Sequence, residues 1–243
     1  MCTVTYIPGG EGEFMLTTNR DEHATRSPKS ITTQLLGHQK LVFPRDTLAG
    51  GTWVATSSTD RTVCLLNGAF GQHRRRPPYK RSRGLMVLDY FYYSNTRYFL
   101  DGYDFPGMEP FTMIIVEKGD LYELRWDGQL RHLLQHDCRS CYIWSSATLY
   151  EEAMQEKRRQ WFRNWLEGRE DFSREAVLDF HRNAGEGDPW NDVVMNRDGR
   201  VQTVSITNIV KQAGAIEMHY HDLLSEQVRQ EKILLGGEVV GLR

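Results

Sequence analysis

Cys2 follows the initiator methionine, and the polar quartet Asn19-Arg20-Asp21-Glu22 closes the stretch Phe14-Met15-Leu16-Thr17-Thr18. Methionine is removed efficiently when the next side chain is small, so the mature chain is expected to begin at Cys2 with a free α-amine beside its thiol. Such an amine has a pKa of roughly 7.7 to 8.0 and can accept the proton of a thiol whose own pKa is about 8.5. Nucleophile and base would then belong to one residue. Arg20 can stabilise a thiolate or receive a substrate carboxylate, and Asp21 can hold the ammonium or orient the arginine.

For that chemistry the two segments must meet. Residues 2–7 and 14–18 flank Pro8-Gly9-Gly10-Glu11-Gly12 and read as a β-hairpin, which returns the quartet to the start of the first strand. A second hairpin is expected from residues 52–56 and 62–66 around Ser57-Ser58-Thr59-Asp60. Ahead of it, Gly50-Gly51 permit close backbone approach, and Trp53 offers an apolar pocket wall with an N–H handle. Further strands are expected at 111–117, 121–126, 130–134, 141–145, 193–196, 201–209 and 215–220. Helical spacing predicts helices over 84–100 and 149–167, and a third from the N-cap Ser173 to 183. In the second helix Met154, Trp161 and Trp165 form an apolar stripe opposite Glu152, Lys157, Arg158 and Arg159. Tyr90, Phe91, Tyr92, Tyr93, Tyr98 and Phe99 are expected in the core. Strands and helices do not alternate strictly, which implies an α+β fold with helices on mostly antiparallel sheets, and residues 1–243 are read as a single domain.

The chain has 243 residues, 40% of them hydrophobic, enough for a real core and too many for a disordered chain. A net charge of -2 supplies no field to attract nucleic acid. No run approaches the roughly 18 apolar residues that span a bilayer, and four cysteines make no disulfide scaffold, so a cytoplasmic location is expected. Residues 73–83 form the densest basic run, read as a solvated loop whose Arg81 and Arg83 could receive a phosphate, carboxylate or propionate if it folds over the site. His132, His136, Cys138 and Cys141 do not have metal spacing, because strand residues four apart stand about 13 Å from each other.

Taken together, Met1-Cys2-Thr3, Thr18-Asn19-Arg20-Asp21-Glu22 with Arg26-Ser27-Pro28, Ala49-Gly50-Gly51-Thr52-Trp53-Val54, Leu65-Leu66-Asn67 and Arg81-Ser82-Arg83-Gly84 resemble the NRDE family, also called the transport-and-Golgi-organisation protein 2 family. The resemblance is strong up to Tyr90. It implies the fold of N-terminal-nucleophile hydrolases, an αββα sandwich of two mostly antiparallel sheets between helix layers. By analogy with cysteine amidohydrolases of the penicillin V acylase and bile-salt hydrolase type, it implies Cys2 as nucleophile and Asp21 as its partner. Arg20 carries over loosely, since those enzymes place their arginine where this chain has Thr18. Asn67, ending an apolar strand, is the implied oxyanion donor, with Asn19, Glu22, Trp53, Arg81 and Arg83 on the substrate side. Ser146 stands where the family pattern has asparagine, and Val204 where it has arginine. Two functions follow: hydrolysis of the C–N bond of a small acyl-amide, or non-catalytic carriage of a hydrophobic anionic ligand such as heme or an acyl lipid. Neither calls for a metal or resident cofactor.

Overall fold

The computed structural model describes residues 3–236, so Cys2 lies outside the described residues. The strands β1 (Thr3–Pro8) and β2 (Phe14–Glu22) form the opening hairpin, with Thr3 opposite Asn19. The chain then crosses into a second sheet, an antiparallel meander of β3 (Ile31–Leu36), β4 (Gln39–Pro44), β5 (Val54–Ser57), β6 (Arg61–Asn67), β7 (Phe111–Glu117), β8 (Asp120–Trp126) and β9 (Arg131–His136). With β10 (Tyr142–Ser145) it returns to the first sheet, on the free side of β1. After the helices, β11 (Asn196–Arg197), β12 (Val201–Gln212), β13 (Ala215–Asp222) and β14 (Gln227–Leu234) complete that sheet, β12 lying antiparallel to β2.

Period-two alternation sets the layers. On β6 and β7, Cys64, Leu66, Ile114 and Val116 face the first sheet and meet Val4, Leu16, Ile209 and Met218. Their neighbours Val63, Leu65, Met113 and Ile115 face outward onto α1 (Arg83–Asp89) and α2 (Thr96–Gly102), through Met86, Val87 and Phe99. On the other side α3 (Glu152–Leu166) and α4 (Arg174–Asn183) cover the first sheet, with Phe162, Val177 and Phe180 against Ile7. The result is the αββα sandwich of two antiparallel sheets that the motifs imply.

Ser173 caps α4 as its sequence predicts, its side chain accepting from the Ala176 amide. The expected helix over 84–100 breaks in two, because Asn95 accepts from the Tyr98 amide as a new N-cap while Thr96 donates to the buried Glu117. Tyr92 and Tyr98 consequently face solvent rather than the core. Three strands escape the sequence reading: β3, β4 and β14, the last a polar edge strand whose buried residue is Ile233. Residues 193–196 give only the beginning of the short β11. The largest departure is Arg158, assigned to the polar face of its helix yet 0% exposed.

A buried polar knot fastens α4 to the opening hairpin. The Asn19 amide donates to the carbonyls of His181 (3.0 Å) and Val193 (3.1 Å), which turns its Oδ1 toward His181 Nδ1. That nitrogen therefore carries the proton, and Nε2 accepts from Thr5 Oγ1 at 2.7 Å. Burial, assisted by the Arg158 charge, pushes His181 down to about 3. Its folded pKa lies below the unfolded value of 6.5, so the unfolded chain binds the extra proton and stability is lost as pH falls from 6.5 towards 3. His181 is expected to contribute up to one proton, about 1.4 kcal/mol per pH unit, to the slope of urea-unfolding stability over that range. His181→Gln is expected to lower stability at pH 7 and to remove that part of the slope; an unchanged slope would refute the assignment.

Candidate functional site

A cleft of about 320 Å³ opens where β2, β6, the 45–53 loop and the 75–84 segment converge. The side chains of β2 alternate, so the quartet divides. Arg20 and Glu22 face the cleft, whereas Asn19 and Asp21 face the helix layer.

Arg20 is buried, its guanidinium 4.1 Å above the Trp53 ring and 2.5 Å from Asp46 Oδ2. Arg26 reaches the same oxygen at 2.7 Å and Glu22 at 2.6 Å. The other Asp46 oxygen accepts the amides of Leu48 and Ala49, shaping the loop that precedes Gly50-Gly51. Burial alone would raise the Asp46 pKa, but the Ala49 amide and the two arginines outweigh it and hold the carboxyl below its ordinary value. Neither Asp46 nor Arg26 is singled out by the sequence as a site residue; Arg26 at least sits within the family-like block.

The motif blocks pack directly on one another. Thr52 donates its amide to the Gly84 carbonyl at 3.0 Å, and a Cβ on Gly51 would lie 2.6 Å from that oxygen and 2.7 Å from the Leu85 nitrogen. Glycine at 51 is thus a requirement of close approach. Trp53, 0% exposed, forms the cleft floor, and its Nε1 has no partner among the described residues.

Asn67 also lines the cleft. Its Oδ1 is buried without a partner among the described residues, and a half-turn of the amide would present N–H there instead. Ser146, standing where the family pattern has asparagine, donates to the Asn67 carbonyl at 2.9 Å. Val204 is buried at an irregularity in the β2–β12 register between Thr203 and Ser205.

The basic segment is largely exposed, as the sequence predicts, but several of its side chains are tethered. Glu109, which sequence reasoning missed, meets Arg83 at 3.1 Å and both His73 and Arg75 at 3.3 Å. Burial weakens the hold of Arg83 on its proton while Glu109 strengthens it. Arg81 forks onto Asp89, Lys80 pairs with Asp104, and Arg83 also donates to the Pro110 carbonyl. Arg81 and Arg83 accordingly line the cleft. Asn19 does not, since the knot with His181 and Val193 engages its whole amide.

Asp21 is held on the other side of β2. Its Oδ1 accepts from Thr203 Oγ1 at 2.6 Å and its Oδ2 from Tyr150 at 3.1 Å. Arg158 stacks 3.7 Å over Tyr150 and donates to Thr3 Oγ1. The sequence holds no sign of this arrangement beyond the presence of the residues, because their partners are distant in the chain.

Two antiparallel sheets between helix layers, with a polar cleft where β2 meets β6, give this chain a fold like that of N-terminal-nucleophile hydrolases. A Caenorhabditis elegans N-acylethanolamine-hydrolyzing acid amidase ortholog is similar in structure, with a TM-score of 0.55 and 12% identity over 86% of this chain and 92% of that one. A cysteine-to-alanine mutant of Clostridium perfringens conjugated bile acid hydrolase gives a TM-score of 0.53 and 9% identity, covering 95% of this chain and 92% of that one. An arginine-to-leucine variant of the same enzyme also gives 0.53 and 9%, covering 100% and 99%. At such identities the likeness is one of fold. No curated protein matches the chain in sequence. Residues 1–179 match the Transport and Golgi organisation 2 family, and the chain belongs to that family.

Gly51→Ala is expected to destabilise the protein by about 1–3 kcal/mol in thermal unfolding, because the 45–53 loop and α1 must separate. Gly71→Ala, whose Cβ meets open space, is expected to stay within about 0.5 kcal/mol of wild type. Equal effects would show that the close approach at Gly51 carries no constraint. Asp46→Ala leaves two arginines without their shared carboxylate and is expected to cost about 3–5 kcal/mol in urea unfolding near neutral pH. The depressed Asp46 pKa makes the wild-type advantage fully present above the ordinary carboxylate value and lost as pH falls below that value through the lowered one. A pH-independent difference between the two proteins would refute that linkage.

Proposed function

We propose that this protein is an N-terminal-cysteine amidohydrolase acting on small acyl-amides. The reading rests on one observation above all: Thr3, the residue bonded to Cys2, pairs with Asn19, so the start of β1 runs beside the strand that carries Arg20 and Asp21. With Met1 removed, the Cys2 thiol would attack the amide carbonyl and its proton would pass to the α-amine. The developing oxyanion would be met by the Asn67 amide. The ammonium would then protonate the leaving nitrogen as the C–N bond breaks, giving a thioester that water hydrolyses with the amine again as base. Asp21 would orient the amine, while Arg20, locked between Asp46 and Trp53, would contribute fixed positive charge at the cleft floor. Glu22, Trp53, Arg81 and Arg83 would contact the substrate.

A second reading, stoichiometric carriage of a hydrophobic anionic ligand such as heme, is favoured by the charge of the same cleft. Arg20, Arg26, Arg75, Arg81 and Arg83 outnumber Glu22, Asp46 and Glu109 along its walls, which suits an anion.

Intact mass of the natively expressed protein is expected to show loss of Met1. An acyl electrophile is expected to add one acyl group to the wild type and none to Cys2→Ala. Equal labelling of both, or retention of Met1, would overturn the hydrolase reading. Saturable heme titration in the Cys2→Ala protein without turnover in the wild type would support the carrier.

A further inference from the structure

Arg158 is among the largest fully buried side chains, and no carboxylate lies within ion-pair distance of it among the described residues. Its partners are neutral. Nη2 donates to the carbonyls of Asn191 (2.8 Å) and Asp192 (2.6 Å), Nη1 donates to Thr3 Oγ1, and the guanidinium lies on the Tyr150 ring. The Asp192 carboxylate is turned away, accepting the amides of Glu186 (2.9 Å) and Gly187 (3.0 Å). Desolvating a cation without a counter-ion is expensive, and the same stripe of α3 uses Phe162 to pack on the sheet. Packing alone does not account for an arginine here.

Its contacts suggest what it does. Thr3 lies one peptide from Cys2, and consecutive Cα atoms are about 3.8 Å apart. The same guanidinium lies on the Tyr150 ring, whose hydroxyl donates to Asp21. We propose that Arg158 is a positioning residue that fixes the start of β1 against Asp21 and lends the mature amino terminus a permanent positive charge, favouring neutral amine and ionised thiol. This rests on the amidohydrolase reading, in which both groups belong to Cys2. The charged and titratable groups facing that region are Arg20 and Asp21 from β2, Cys64 from β6, Arg158 from α3, the neutral His181 from α4, Arg197 from β11 (5.4 Å over the Tyr150 ring) and Tyr150 itself. Asp21 favours the ammonium; Arg158 opposes it and stabilises the thiolate.

The test follows the rate of Cys2 alkylation by iodoacetamide from pH 5 to 10 on the full chain, read by mass, and needs no substrate. The wild-type midpoint is expected below the free-thiol value of about 8.5. Arg158→Met is expected to raise it by about one pH unit, as loss of a buried charge held against the neighbouring residue Thr3 requires, and Arg158→Lys is expected to restore most of the difference. Should Arg158→Met not fold, Arg158→Gln removes the charge while keeping polar contacts. Midpoints equal in wild type and the uncharged variant, or shifted equally by Lys, would overturn the role of Arg158 and leave the nucleophile standing. A wild-type Cys2 with an ordinary thiol midpoint would overturn the inference and remove the support for an activated nucleophile beneath it.

Discussion

The cleft depends on one buried charge arrangement, Arg20 held between the Trp53 ring and the Asp46 carboxylate. Arg20 belongs to the first sheet, while Trp53 leads into β5 of the second, so the interaction bridges the layers. Cation–π contact and a short ion pair are each modest in water, yet both strengthen when desolvated, and here the surrounding walls exclude it. Asp46 adds a second function by accepting two amides of its own loop. Arg20 therefore has a fixed direction, and the Gly51–Gly84 contact has a loop held ready to receive it.

The central elements could be read from the chain because they are buried on both faces. β6 and β7 are nearly continuous apolar runs bounded by turn residues, and no other local structure suits them. By contrast β14 draws its identity from pairing with β13, and its polar side chains leave no periodic signal. The missed β3–β4 hairpin turns at Gly37-His38, and the Thr32-Thr33-Gln34 and Gln39-Lys40 steps interrupt the apolar runs on either side. Residues 84–100 show helical spacing throughout, but the Asn95 cap and the Thr96–Glu117 bonds redirect the chain.

The site was legible in its types but less so in its directions. Arg20, Glu22, Trp53, Asn67, Arg81 and Arg83 all line the cleft, and alternation along β2 explains why Asn19 and Asp21 do not face it. Asp46, Glu109 and Arg158 were missed for a common reason. Each acts through groups far away in sequence, Arg158 partly through backbone carbonyls that carry no side-chain identity at all. A charge on an amphipathic helix is ordinarily solvated, and only tertiary structure can reverse that expectation.

The path of the chain also fixes a timetable. β1 is flanked by β2 and by β10, and β2 by β12, whose residues lie near the far end of the polypeptide. The leading hairpin cannot acquire both neighbours until most of the protein has left the ribosome, and contacts of such high sequence separation form slowly. Until β10 and then β12 emerge, the hairpin's outer edges have no strand to pair with, so the edge of β2 is the later of the two to be covered.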